Sequence, residues 1–177
     1  MRRPLDPDRL NRVLESLGRA CRGPGTLYLT GGATALLEGW RASTVDVDLR
    51  LDPEPEGVFA AIARIKEDLD VNIELASPAD FLPELVDWRS ESRLVGHFGP
   101  IEVRHYDFRG QALAKLARGF ERDVADVRAM LDRQLVSCAR LRAAFAEMDA
   151  RLDRFPRIDR GRLLRRLEEL CPLEESG

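Results

Sequence analysis

The sequence predicts an α/β protein of the α+β kind: a mixed sheet with flanking helices, followed by a helical C-terminal region. Three observations carry this. From Val45 the chain alternates, with Val45, Val47, Leu49 and Leu51 falling on one face and Asp46, Asp48 and Arg50 on the other, which is the period of a half-buried strand. The short runs "TLYLT", "VNIELAS" and "RLVGHFGPIEVRHYD" supply further strands between segments of helical spacing. Beyond Gln111 the pattern is helical throughout: Leu116, Phe120, Val124, Val127 and Leu131 recur every three or four residues and predict one helix with one apolar stripe. A core over 1–110 and a helical region over 111–177 packed on it are expected.

Taken in order, "PDRLNRVLESLGRA" places Leu10, Val13, Leu14 and Leu17 at helical spacing behind Asp6 or Asp8 as a cap, and "CRGPG" stops it. "TLYLT" reads as a buried strand, and "ATALLEGW" as a short helix opening at Gly31-Gly32. The strand from Val45 is broken by "DPEPEG". "VFAAIARIKEDL" restores helical periodicity before "VNIELAS", a strand–helix–strand order that suggests a crossover unit. "ADFLPELVDW" reads as a helical turn or loop, and the next run as a hairpin turning near Gly99-Pro100. Two last helices are expected near Ser137–Leu152 and Asp159–Leu170.

Composition bounds the function. With 177 residues, 44% apolar and 33% charged, the chain suits one domain or a core with an extension. No apolar run approaches the roughly 20 residues of a membrane helix. Met1-Arg2-Arg3-Pro4 leads into charged sequence, so no membrane partner and a cytoplasmic location are expected. Cys21, Cys138 and Cys171 are odd in number and far apart. They show neither a disulfide framework nor a zinc spacing, and read as ordinary thiols. The net charge of −3 conceals 12 basic and 18 acidic side chains over 1–103 against 16 and 9 over 104–166. The basic half suits either a polyanion or the acidic half itself, and the tail "LEELCPLEESG" adds four acids.

The chemistry concentrates in "LYLTGGATALLEGWRASTVDVDLRL". Carboxylates at i and i+2 of a strand project to one side, about 6.5–7 Å apart at Cα, so Asp46 and Asp48 can meet one cation or a close pair. Hard oxygen ligands of this type favour Mg²⁺ or Mn²⁺ over zinc. A glycine pair opening a helix lets backbone N–H groups approach an anion such as a phosphate. His97 and His105 read as surface or packing residues, and no serine or cysteine shows a partner pattern for nucleophilic catalysis.

"LTGGATALLEGWRASTVDVDL" resembles the signature of the nucleotidyltransferase superfamily related to DNA polymerase beta: strand, Gly-Gly or Gly-Ser, helix, then Asp-x-Asp on the next strand. In finer form it is similar to bacterial AbiEii-type nucleotidyltransferases, many of them toxin–antitoxin components. "ALAKLARGFERDVADVRAML" resembles a helix that such proteins carry after the sheet. The resemblance implies Mg²⁺-dependent transfer of a nucleoside monophosphate from an NTP to an RNA or protein acceptor, with a cognate toxin or antitoxin as possible partner. It implies Asp46 and Asp48 as metal ligands and Gly31 and Gly32 against the triphosphate. Thr30 or Thr34 would supply a hydroxyl in place of the serine that relatives carry at Gly32. A third carboxylate from a neighbouring strand is expected, Glu74 or else Glu102. Arg41, Ser43 and Thr44 would contact phosphate or cap a turn. On one unbroken helix Lys115, Arg122 and Asp126 share a charged face opposite the apolar stripe; the resemblance implies that Lys115 and Arg122 reach phosphate, with Asp123 and Asp126 fixing that helix or a nearby arginine. A catalytically inactive relative that binds nucleotide or a partner, or an antitoxin, is the alternative expectation.

Overall fold

The computed structural model describes residues 3–173; Met1, Arg2 and the last two acidic residues of the tail, Glu174 and Glu175, lie outside the described residues. The chain forms two compact units, one comprising Met1–Ser77 and Ser92–Tyr106, the other Pro78–Glu91 and Asp107–Gly177.

The first unit contains the sheet. Helix α1 (Pro7–Ala20) starts where expected, because the Asp6 carboxylate accepts the Arg9 backbone N–H at 2.8 Å and Pro7 needs no partner in the first turn. Strand β1 (Gly25–Thr30) runs directly into the short helix α2 (Gly31–Leu37). Strand β2 (Asp46–Leu51), helix α3 (Val58–Asp68) and strand β3 (Asn72–Leu75) follow, and β4 (Arg93–Phe98) and β5 (Ile101–His105) form the hairpin. The sheet order is β3-β2-β1-β5-β4. Strand β1 is antiparallel to β2 and parallel to β5, while β2 and β3 are parallel across the α3 crossover. The mixed sheet and the crossover are therefore as expected.

One face of the sheet is the core: Leu27, Leu29, Val47, Leu49, Ile73, Ile101 and Val103 are all buried among Leu10, Val13, Leu14 and Leu17 of α1 and Ile62 and Ile65 of α3. Val45 departs from the expected alternation. It lies outside β2 and is 52% exposed, since the paired strand begins only at Asp46.

The second unit is helical. A 3₁₀ turn (Pro78–Asp80) and the one-turn helix α4 (Trp88–Glu91) precede α5 (Phe108–Arg118), α6 (Glu121–Asp132), α7 (Cys138–Asp149) and α8 (Arg160–Leu170). Helix α5 packs with α6, α7 and α8 and is buried from Phe108 to Leu116.

Two expectations are corrected here. The single helix from Gln111 is two, because Gly119 takes a left-handed conformation (φ +69°) that ends α5, and Phe120 caps the start of α6. Phe120 leaves the expected apolar stripe and is 69% exposed. The cysteines are not all ordinary thiols: Cys138 and Cys171, 33 residues apart, are joined in a disulfide between the start of α7 and the end of α8. Sequence distance concealed this, since the chain has to fold back across 33 residues to bring their Cα atoms to 5.3 Å. Cys21 is a buried free thiol whose pKa burial raises. Among the described residues no helix is long and apolar enough to cross a membrane.

Candidate functional site

The site is built by strand register. Asp46 pairs with Asn72 and Asp48 with Glu74 across the parallel β2–β3 ladder. The intervening Val47, Leu49 and Ile73 point into the core, so these four polar side chains share the opposite face as a two-by-two patch. Within it the Asn72 Nδ2 donates to Asp46 Oδ1 and to Glu74 Oε1, each at 2.7 Å. Sequence reasoning passed over Asn72. The signal was present, because "NIE" repeats on β3 the polar i, i+2 spacing of "DVD" on β2.

The glycine pair closes one side of this patch. Gly31 is left-handed (φ +58°), and a Cβ placed on it would lie 3.0 Å from Asp48 Oδ2, so a side chain there would press on the carboxylate. At Gly32 a Cβ would meet the Thr44 Oγ1 at 2.1 Å and come within 3.7 Å of an Arg41 guanidinium nitrogen. The Thr44 hydroxyl thus fills the space that the serine of a Gly-Ser pair would need. Thr44 is itself fixed: its backbone exchanges two hydrogen bonds with Leu5, and its Oγ1 donates to the Asp46 carbonyl at 3.2 Å. Ser43 is exposed beside it.

Glu74 is the third-carboxylate candidate that register sets next to Asp48. Glu102 lies on β5, with β1 between it and β2, and pairs with Arg104. Of the two threonines named as hydroxyl sources, Thr30 is the strand partner of Asp48 and Thr34 turns into the core. Thr30 Oγ1 donates to the Ala76 carbonyl at 3.5 Å. Thr34 is fully buried, donates to the Leu29 carbonyl at 3.2 Å and sits 3.1 Å from His105 Nδ1.

His105 is a packing residue with a defined role. Its Nε2 lies 2.9 Å from Glu38 Oε1, and Glu38 also pairs with Arg93. Burial drives the imidazole pKa down to about 4, helped by Arg93 and opposed by Glu38. The ring is therefore neutral near pH 7 and stands between Glu38 and Thr34.

The structure does not set Lys115 and Arg122 on one face. Arg122 is exposed on α6, whereas the Lys115 ammonium is buried against Asp126 Oδ2 (2.6 Å) with Asp123 Oδ1 at 3.8 Å. Asp123 Oδ1 also accepts from Arg118 at 2.6 Å. The geometry that would have aligned Lys115 with Arg122 required the unbroken helix that Gly119 interrupts.

The donor set at the β2–β3 face, carboxylate oxygens with Asp48 beside a glycine, suits a hard divalent cation in its chemistry. In the arrangement seen, Glu74 gives an oxygen to Asn72, and among the described residues no group of three or more His, Cys, Asp or Glu side chains is placed to hold a metal ion. No protein-family model, no curated protein and no solved structure matches this chain.

Proposed function

We propose that the first unit is the catalytic core of a Mg²⁺- or Mn²⁺-dependent nucleotidyltransferase resembling the DNA polymerase beta superfamily, transferring a nucleoside monophosphate from an NTP to a hydroxyl or phosphate of an RNA or protein acceptor. The observation that carries it is the register of β2 on β3, which sets Asp46, Asp48 and Glu74 on one solvent-facing side while Gly31 borders Asp48.

In this reading Asp46 and Asp48 hold the cation, with Glu74 the third carboxylate of the same face. The bound metal would supply charge neutralisation of the triphosphate and activation of the attacking oxygen. The chain's own residues position and exclude. Gly31 and Gly32 carry no side chain, so a phosphate can approach the backbone beside Asp48. Arg41, beside Gly32, is the cation set to meet that phosphate, and the exposed Ser43 offers a hydroxyl. Thr44 holds the loop in place through Leu5 and the Asp46 carbonyl. The reading draws nothing from Lys115, whose charge is matched by Asp126. A cytoplasmic protein working with a cognate toxin or antitoxin is the setting that the AbiEii resemblance adds.

One observation favours a second reading, a nucleotidyltransferase-like protein that binds nucleotide or a partner without catalysis: the Glu74 carboxylate is engaged by Asn72. Calorimetric titration of each of the four NTPs, with and without Mg²⁺, into the wild type and the Asp46→Asn/Asp48→Asn variant separates the two. Metal-dependent binding that the variant loses supports the enzyme. NTP binding indifferent to Mg²⁺ supports the noncatalytic protein, and no binding of any NTP overturns the nucleotide site altogether.

A further inference from the structure

We infer that Cys138 and Cys171 are a reversible redox pair of the helical unit, with Cys138 the sulfur that exchanges with outside thiols and α8 the element that the bond locks and releases. Three observations carry it, and none draws on the polar face of the sheet unit.

The first is the asymmetry of the two sulfurs. Cys138 is the first residue of α7 and is half-buried, whereas Cys171, at the end of α8, is 1% exposed. An incoming thiolate therefore meets Cys138 first. Helix N-termini stabilise a negative sulfur through their unpaired N–H groups and dipole, and a neighbouring guanidinium does the same. Cys138 has both: it opens a 12-residue helix, and Arg142, one turn on, donates to the carbonyls of Cys171 and Pro172.

The second is how little else holds the end of α8. The buried residues of this helix are Leu163 and Leu167, and Arg166 ties its middle to the carbonyls of Leu116 (2.8 Å) and Ala117 (3.2 Å). Beyond Leu167 the chain is fastened by the disulfide and by Arg142, and Leu173 is already 76% exposed. An element with few buried apolar contacts opens locally before the rest of its unit does.

The third is the span. The bond joins residues 33 apart and encloses α7 and α8, so breaking it returns more chain freedom than opening a short clasp would. Disulfides of thiol-rich compartments are transient or sensing bonds, which suits the cytoplasmic setting proposed above.

The exchange balances with a glutathione-type thiol as reductant. Its thiolate attacks Cys138 Sγ, the bond to Cys171 breaks, and the electron pair leaves on Cys171 Sγ. A second thiolate attacks the outer sulfur of the mixed disulfide and expels Cys138 as a thiolate. The two protons lost by the reductant end on the protein pair, and the reductant leaves as its own disulfide. Reoxidation runs the same path backwards, with Cys171 resolving the mixed disulfide on Cys138.

The test holds the full chain, without denaturant, in glutathione buffers at a series of reduced-to-oxidised ratios. Free thiols are trapped by alkylation and mapped by peptide, so that Cys21 is counted apart, and amide hydrogen exchange is read on the same samples. Cys138 and Cys171 are expected to open together and reversibly, with exchange over 160–171 rising about 10-fold or more while α5 stays protected. A bond that survives fully reduced glutathione, or a pair that never joins in oxidised glutathione, overturns the inference. Reduction that leaves α8 protected, or that unprotects α5 and α8 alike, overturns it as well. The Cys138→Ser/Cys171→Ser variant should show the open α8 with no reductant present, and a protected α8 in that variant removes the lock. The single variants separate the sulfurs: Cys138 in Cys171→Ser should react with oxidised glutathione about 10-fold or more faster than Cys171 in Cys138→Ser. Equal rates overturn the assignment of Cys138 as the exchanging sulfur.

Discussion

The two units use the same side chains to opposite ends. Among the described residues of the helical unit, each strongly buried charge has a counter-charge: Lys115 on Asp126, Asp123 on Arg118, and Arg109 on Asp107 and Asp87. In the sheet unit three carboxylates, Asp46, Asp48 and Glu74, stand on one accessible face, where a neutral amide bridges two of them. Buried pairs are held because separating them leaves a charge in a medium that solvates it poorly. Like charges gathered at a surface add little to folding and raise the affinity for a cation. The contrast teaches where to look for stability and where for binding, and it can be broken by mutation.

Its strongest test is Lys115. Lys115→Met leaves Asp126, 2% exposed, without its ammonium, and should cost about 3–5 kcal/mol of unfolding free energy in a denaturant titration. A loss below 1 kcal/mol would show that the pair is not a structural element of the helical unit. Within the same unit, Cys138→Ser with Cys171→Ser removes a link between residues 33 apart and should cost about 3–4 kcal/mol, as should reductant added to the wild type. Reductant with no effect on the wild type would mean that the two thiols are not joined.

How these features were read from sequence differs for the two units. The sheet was legible because alternation is local: β2, β3 and the hairpin follow from period-two patterns, and Asp46 with Asp48 was visible as a pair on one face. Asn72 was not picked out, since its role depends on the β2–β3 register, which joins residues 26 apart in sequence. In the helical unit the period was read correctly and the continuity was not. One left-handed glycine at 119 turned a supposed charged face carrying Lys115 and Arg122 into a buried ion pair and an exposed arginine. The disulfide was hidden for the same reason as Asn72: tertiary return, not spacing, makes the pair.

His105 sharpens the comparison from inside the sheet unit, as a buried titratable group there should behave like those of the helical unit. Its folded pKa of about 4 lies below the ordinary 6.5, so between these values the unfolded chain binds the proton and the folded one does not. The stabilisation is present above pH 6.5 and is lost as pH falls toward 4, amounting to about 3 kcal/mol over that window. Urea unfolding at pH 7 and pH 4.5 should show most of this fall. His105→Gln should flatten it, and an unchanged slope in that variant would assign the effect to other groups.

Gly31 is expected to matter less. Gly31→Ala places a Cβ on a left-handed residue, at about 1–2 kcal/mol, and crowds Asp48 Oδ2 from 3.0 Å. Thermal unfolding should register that modest loss, while Mn²⁺ affinity should fall as the carboxylate is pushed aside; a stable variant with unaltered affinity would remove Gly31 from the site.

The smallest stability change should come from the two residues on which the proposed function leans most. Asp46→Asn with Asp48→Asn removes two like charges from a partly exposed face whose backbone pairing is untouched, and surface changes of this sort usually stay within about 0.5 kcal/mol. Denaturant midpoints should therefore barely move, or rise slightly as repulsion is relieved, while binding of Mg²⁺ or Mn²⁺ disappears. A double variant that unfolds would mean that these aspartates behave like Lys115 and Asp126, as parts of the structure. A folded variant that keeps its metal would place the cation elsewhere. Only stability kept and binding lost together would set this pair apart from the buried ion pair of Lys115 and Asp126, because a buried charge that loses its partner costs stability whatever it binds.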